Sequence, residues 1–338
     1  MMITRLSKSR ATLAGGSILA MVLLAGCGDG QIDSGSQGGG SSPEAGSTLE
    51  QIREEGTVTV GIAGEAPYSY QEGGEPTGAT IAMHEKIFQE LGVENVEAEL
   101  VDWDALIPGL NAGRFDLVSA GMSILPERCE QAAFSDPEIM YTTALMVQEG
   151  NPKNLTDLDS VVAAEEGGED IKLAVLSGGI EAGYAEKLGL DVQSVGNAQD
   201  GMDTVAAGRA DAFAMTAISL NWLADNNPNA GVEVTEPFVQ VIDGVEQIGA
   251  GGTVFRQGDT ELLEAYNAEL AKITESEESY VDVVGDFGFT AENLPPADLT
   301  TEQLCSGDLA DPLLWKAISK RWLRRRRGSW TGCGSPSS

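Results

Sequence analysis

Apolar residues along this chain switch repeatedly between two spacings, and each switch predicts an element. The segments "TLEQIREEG" and "ATIAMHEKIFQELG" place them on one helical face, whereas "TVTVGIAG", "VENVEAELVDW" and "FDLVSAGM" carry the β-branched and apolar runs of strands. "DALIPGLNAGR" opens a short helix between the last two. Further on, "IKLAVLSGG" into "IEAGYAEKLG" forms a strand, a glycine turn and a helix, and "DGMDTVAAGR" with "ADAFAMTAIS" repeats the form. The texture is α/β, in two similar lobes.

The lobes part near "TTALMVQEGNPKNLTDLD", where an apolar strand gives way to a polar Asn-Pro stretch, and again near "GAGGTVFRQGD". "VVAAEEGGEDIK" reads as a solvated surface insertion. The amphipathic helix "TELLEAYNAELAKI" returns to the first lobe. The expected layout is a first lobe over 48–146, a second over 147–250 and a return to the first over 251–305. Two connecting strands between the lobes make a clamp, which implies a ligand in its cleft.

Ahead of this body, Arg5, Lys8 and Arg10 precede the apolar run "ATLAGGSILAMVLLAG", the order of an export signal. The run is too short and too rich in small residues for a good membrane span. Its end, Leu24-Ala25-Gly26-Cys27, resembles a bacterial lipobox, which implies a lipid on Cys27 and a signal over 1–27. Residues 28–47 are Gly/Ser-rich and read as a flexible tether. An extracytoplasmic protein held to the cell membrane by its N-terminal lipid follows.

The 338 residues suit two domains, and 42% hydrophobic content is that of a packed protein. The 20 basic against 53 acidic residues give a net charge of -33, which excludes nucleic acid as a partner and reads as a solubility device for salty surroundings. Against that acidity Arg128, in "GMSILPERCE", stands out. A guanidinium offers a rigid fork of donors that matches a carboxylate, and it keeps its charge in a partly desolvated cleft. The alternative is a surface arginine paired with Glu127 or Glu130.

Four motifs, "GEAPYSY", "VDWDALIPGL", "SAGMSILPER" and "VLSGGIE", fall at the carboxyl ends of expected strands, where open α/β sheets bind ligands. With "AGRADAFA" and the lipobox, they resemble the solute-binding proteins of ABC importers in the polar amino-acid class, from Thr48 to Cys305. Within it, "ALIPGLNAGRFDLVSAGMSILPERCEQAAFSDP", "AGRADAFAMTAISLNWL" and "FGFTAENLP" look like the ectoine and hydroxyectoine-binding branch. The resemblance implies a type II periplasmic-binding-protein-like clamp. It also implies a monomer that hands a zwitterionic solute to a permease and ATPase complex, with no cofactor and no chemistry on the solute.

By the same resemblance, Arg128 and Ser123 take the solute carboxylate, Gly121 allows close approach, and Tyr68 and Trp103 stack on the solute's cationic body. The bland reading of the two aromatics is ordinary packing. Glu65 is a candidate acceptor for a ring N–H, or a solvated loop residue. From the second lobe, Ser177 and the glycine turn at Gly179 are the expected donors. Thr216 stands where amino-acid binders of the class commonly place an aspartate for the ammonium, which argues for an ectoine. Two departures, at Ser123 and at Gly179-Ile180, leave a polar or cationic amino acid as the alternative solute. A cyclic-carboxylate dehydratase or a sensory receptor on the same clamp are further alternatives.

His84, the single histidine, has no Cys/His companions and is given no metal or catalytic role. Cys129 and Cys305 form a candidate disulfide in an exported protein. Residues 306–338 form a basic, aromatic tail at odds with the acidic body, expected to be disordered and to leave Cys333 unpaired.

Overall fold

The computed structural model describes residues 47–306, Ile248 excepted. The export signal, Cys27, the tether up to residue 46 and the tail from 307 onward lie outside the described residues. Ser306, assigned to the tail, ends the short helix Thr301–Ser306.

Each lobe is built on one sheet. The first runs in the order Asn95–Leu100, Thr57–Ile62, Leu117–Ser123, Gly249–Phe255 and Ala133–Phe134, with Ile139–Tyr141 also paired to Gly249–Phe255. Its first three strands are parallel, and Gly249–Phe255 runs antiparallel to its neighbours. The second orders Val192–Val195, Leu173–Leu176, Ala212–Thr216, Thr143–Gln148 and Val232–Val234; its first three strands are parallel, and Thr143–Gln148 runs antiparallel to both of its neighbours. Both strands at the centre of the first sheet are buried along their whole length, which is why Leu117–Ser123 and Gly249–Phe255 read as continuous small and apolar runs without alternation.

Helices close the outer faces. Thr48–Glu55 starts in a capping box between Ser47 and Glu50 and stops at Gly56, whose left-handed φ of 69° suits glycine. Thr260–Ile273 packs on Ala79–Glu90 of the first lobe, the return expected from its amphipathic pattern. Among the described residues no helix is long and apolar enough to cross a membrane.

Two expectations shift. The first crossing falls at Thr142, because Thr143–Gln148 already pairs in the second sheet, and the return strand starts at Gly249. The Asn-Pro stretch marks the far end of a second-lobe strand, so a boundary drawn from polarity landed late. The supposed insertion begins as a helix, Leu158–Glu166, capped by Asp157 and Ser160. Leu158 and Val161, three apart, face the core, and the continuous exposed stretch is the end from Glu166 to Asp170.

Candidate functional site

A narrow cavity lies between the two sheets. Glu65, Tyr68, Trp103, Gly121 and Ser123 line it from the first lobe, and Gly179 and Thr216 from the second, so the structure gathers seven of the nine expected ligand-binding residues. Tyr68 follows the strand Thr57–Ile62 and is buried, with its ring edge-on to Tyr141 and Phe289 at 6.1 and 5.2 Å between centroids. Its hydroxyl has no hydrogen-bond partner. Gly121 has a φ of 55°, and a Cβ there would stand 2.6 Å from the Tyr68 ring. The close approach that requires glycine is therefore by the aromatic wall.

Arg128 sits on the four-residue helix Pro126–Cys129 and is buried. Nη1 donates to the Ser123 carbonyl at 3.0 Å and Nη2 to the Gly178 carbonyl of the other lobe at 2.6 Å. Neither Glu127 nor Glu130 forms an ion pair with it among the described residues. Burial lowers its pKa, although a guanidinium keeps its charge. Trp103 Nε1 donates to the same Gly178 oxygen at 3.2 Å, and the Arg128 Cζ stands 5.9 Å from the Trp103 ring centroid. One cation at the Trp103 face is thus Arg128 itself. Cys129, the next residue, is joined to Cys305 with Cα atoms 5.6 Å apart, which ties the clamp arginine's helix to Thr301–Ser306.

Ser123 contributes differently from the expectation. Its hydroxyl pairs with the Tyr141 hydroxyl at 2.5 Å while its carbonyl holds Arg128, so it supports the arginine. Ser177 does not line the cavity: its hydroxyl turns to Asp104 at the rim, at 3.4 Å, because the chain leaves the strand Leu173–Leu176 through a left-handed Gly178. Of the nine expected residues, Ser177 and Arg128 are the two outside the cavity lining.

Glu65 is a buried carboxylate and no solvated loop residue. Thr216 Oγ1 and Ser219 Oγ, both from the second lobe, donate to its Oε1 at 3.1 and 2.8 Å. Burial pushes its pKa up to about 7, against the pull of those hydroxyls, and nearby Glu181 adds to the rise.

A family model described as bacterial extracellular solute-binding proteins, family 3, matches residues 58–280. The chain belongs to this family. It is similar to a probable amino-acid ABC transporter periplasmic-binding protein of Sinorhizobium fredii, 33% identical over 267 residues that cover 77% of this chain and 86% of the relative. The lysine/arginine/ornithine-binding periplasmic protein of Escherichia coli is 30% identical over 177 residues, 51% of this chain and 64% of its own. Among solved structures, EhuB in complex with hydroxyectoine superposes with a TM-score of 0.67 at 32% identity, over 76% of this chain and 97% of that one. An ancestral arginine-binding protein bound to arginine gives 0.59 at 28% identity, over 69% and 98%.

Sequence reasoning missed three residues of this family 3 solute-binding protein. Tyr141 and Glu181 both line the cavity, and Ser219 holds Glu65. Glu181 is buried near the start of the helix Ile180–Leu188, accepts from Thr143 Oγ1 at 3.1 Å, and is pushed up to about 7 by burial while Arg128 pulls the other way. Its signal was present as the last letter of "SGGIE", a motif read for Ser177, Gly179 and Ile180 with no role for the glutamate. His84 is buried between Ser119 at 3.0 Å and Thr253 at 2.9 Å, and burial lowers its pKa to about 3, so it serves the first lobe as a neutral hydrogen-bonding core residue. Among the described residues no group of three or more His, Cys, Asp or Glu could hold a metal.

Proposed function

We propose that this protein is the lipid-anchored, extracytoplasmic receptor of an ABC importer, capturing a small zwitterionic solute of the ectoine or hydroxyectoine type for uptake as a compatible solute. The observation that carries the reading is the charge order at the cavity: two buried carboxylates, Glu65 and Glu181, line it among the rings of Tyr68, Trp103 and Tyr141, and one buried guanidinium, Arg128, stands beside it on the carbonyls of Ser123 and Gly178. A carboxylate on the solute meets the remaining Arg128 donors. A delocalised ring cation with two N–H groups meets the carboxylates and aromatic faces. The likeness to the hydroxyectoine complex of EhuB supports this choice, as does Thr216 in place of an aspartate.

A second reading rests on Glu181. Two carboxylates lining the cavity, with one guanidinium beside it, also fit a cationic amino acid, with an α-ammonium at one and a side-chain cation at the other, and the arginine-bound structural relative supports that reading. In either case the receptor closes on the solute and passes it to a permease and ATPase without changing it. Calorimetric titration of the mature domain with ectoine, hydroxyectoine, glycine betaine, L-arginine and L-glutamine separates the two. Tight binding of L-arginine with no heat from ectoine would replace the first reading by the second.

A further inference from the structure

Glu65 takes both of its side-chain hydrogen bonds from the opposite lobe, on a single oxygen. Thr216 ends the second-lobe strand Ala212–Thr216, and Ser219 lies in the first turn of the helix Ala217–Asn226 that follows it. A serine within a helix commonly back-bonds to its own helix. Ser219 instead is fully buried and donates to Glu65 Oε1 at 2.8 Å, beside Thr216 at 3.1 Å. Both donors sit on Oε1, which leaves Oε2 for the cavity that Glu65 lines.

We infer that Ser219, with Thr216, is a positioning residue that couples closure of the clamp to the charge of the solute: the second lobe grips one oxygen of Glu65 while a cationic N–H of the solute engages the other. The inference rests on the solute-binding reading, and holds for either solute class. Its physical basis is that a hydroxyl binds an ionised carboxylate about twice as strongly as a neutral acceptor. Burial holds Glu65 at about 7, so near neutral pH it is only part ionised on its own. A cation at Oε2 completes the ionisation and strengthens both inter-lobe bonds. A solute without a cation leaves Glu65 protonated and those bonds weak.

The titratable groups that bear on Glu65 are Glu181 from the helix Ile180–Leu188, which raises it, and the hydroxyls of Tyr68 and Tyr141, whose own pKa values its charge raises. Arg128 acts on Glu181 and Tyr141. Removing Ser219's hydroxyl therefore raises the Glu65 pKa, and binding of a cation must fail at a higher pH on the acid side.

The test measures the Kd of ectoine and of L-arginine between pH 5.5 and 8.5 for wild type, Ser219→Ala, Ser219→Thr and Thr216→Val. Losing one hydrogen bond to a charged group weakens binding about tenfold and moves the acid limb up by about one pH unit. Ser219→Thr, which keeps the hydroxyl, recovers both, and Thr216→Val repeats the loss in smaller degree. Unchanged affinity, or weaker affinity with an unmoved acid limb, overturns the inference. If wild type binds neither solute, the functional reading fails by itself. The Glu65 carboxyl titration, followed by carbon-13 NMR in the solute-free protein, then decides: a midpoint raised by Ser219→Ala supports the coupling, and an unmoved one ends it.

Discussion

Removing the Arg128 side chain is the most direct perturbation of the site, and its cost can be worked from the contacts. A guanidinium has five N–H donors. Two are occupied, by the carbonyls of Ser123 at 3.0 Å and Gly178 at 2.6 Å, so up to three remain for a solute carboxylate. Arg128→Ala deletes that charge-assisted recognition, the arginine's bridge between the lobes and the cation that opposes the rise of Glu181. Truncating one member of a buried charge pair costs about 2 to 5 kcal/mol, a thirtyfold to several-thousandfold loss on the scale of roughly tenfold per 1.4 kcal/mol. Calorimetry against the best-bound solute measures it, with circular dichroism to show that the fold persists. Arg128→Lys should fall between, because an ammonium keeps the charge without the planar fork that spans both carbonyls. An alanine variant with wild-type affinity would refute the carboxylate assignment.

Trp103→Ala should weaken binding more than Trp103→Phe, by about 2 kcal/mol where the lost cation–π contact is desolvated, and equal losses in titration would reassign the ring to packing. Both variants lose the Nε1 bond to Gly178, so the difference isolates the ring face over Arg128 and the solute. Thr216→Asp places a second carboxylate against Glu65 Oε1, which Thr216 now touches at 3.1 Å, so ectoine binding should not improve while solutes with an α-ammonium gain affinity; tighter ectoine binding in competition assays would contradict this. The solute-free fold should lose stability as pH rises from 4.5 through 7, because Glu65 and Glu181 carry folded pKa values raised from 4.5 to about 7 and the folded state holds their protons longer. Each carboxyl contributes up to about 3 kcal/mol to that slope. Glu181→Gln should flatten it in urea denaturation, and an unchanged slope would show that Glu181 ionises as freely folded as unfolded.

The elements legible in the sequence were those whose pattern is local. Apolar spacing in "ATIAMHEKIFQELG" and the β-branched run of "TVTVGI" each report one buried face, and both became the expected helix and strand. The first crossing was misplaced because Thr143–Gln148 is as apolar as a first-lobe strand; only its partner, Ala212–Thr216, identifies its sheet. Seven of the nine expected site residues line one cavity, since strand ends converge in this topology. What the motifs could not reveal is which atoms meet. Ser123 turned to Tyr141 and Ser177 to Asp104, while Ser219, over 150 positions from Glu65, supplied the shortest bond to it. A hydroxyl inside a helical run carries no mark of the lobe that it will contact.

The electrostatics of the cleft explain why one arginine suffices in so acidic a chain. With Glu65 and Glu181 both ionised, the buried charges sum to one negative beside a single guanidinium, and the arrangement is costly until a cation enters. With one carboxyl protonated, as values of about 7 permit near neutral pH, the cleft is neutral and tolerates the wait. A zwitterion then brings its carboxylate to Arg128 and its cation to the carboxylates, adding no net charge, whereas a solute of net charge +1 is received only as the second proton leaves. The pH dependence of affinity therefore distinguishes the two solute classes by mechanism. An ectoine should bind across neutrality with a shallow acid limb, and L-arginine with a steeper one that reflects the loss of both protons.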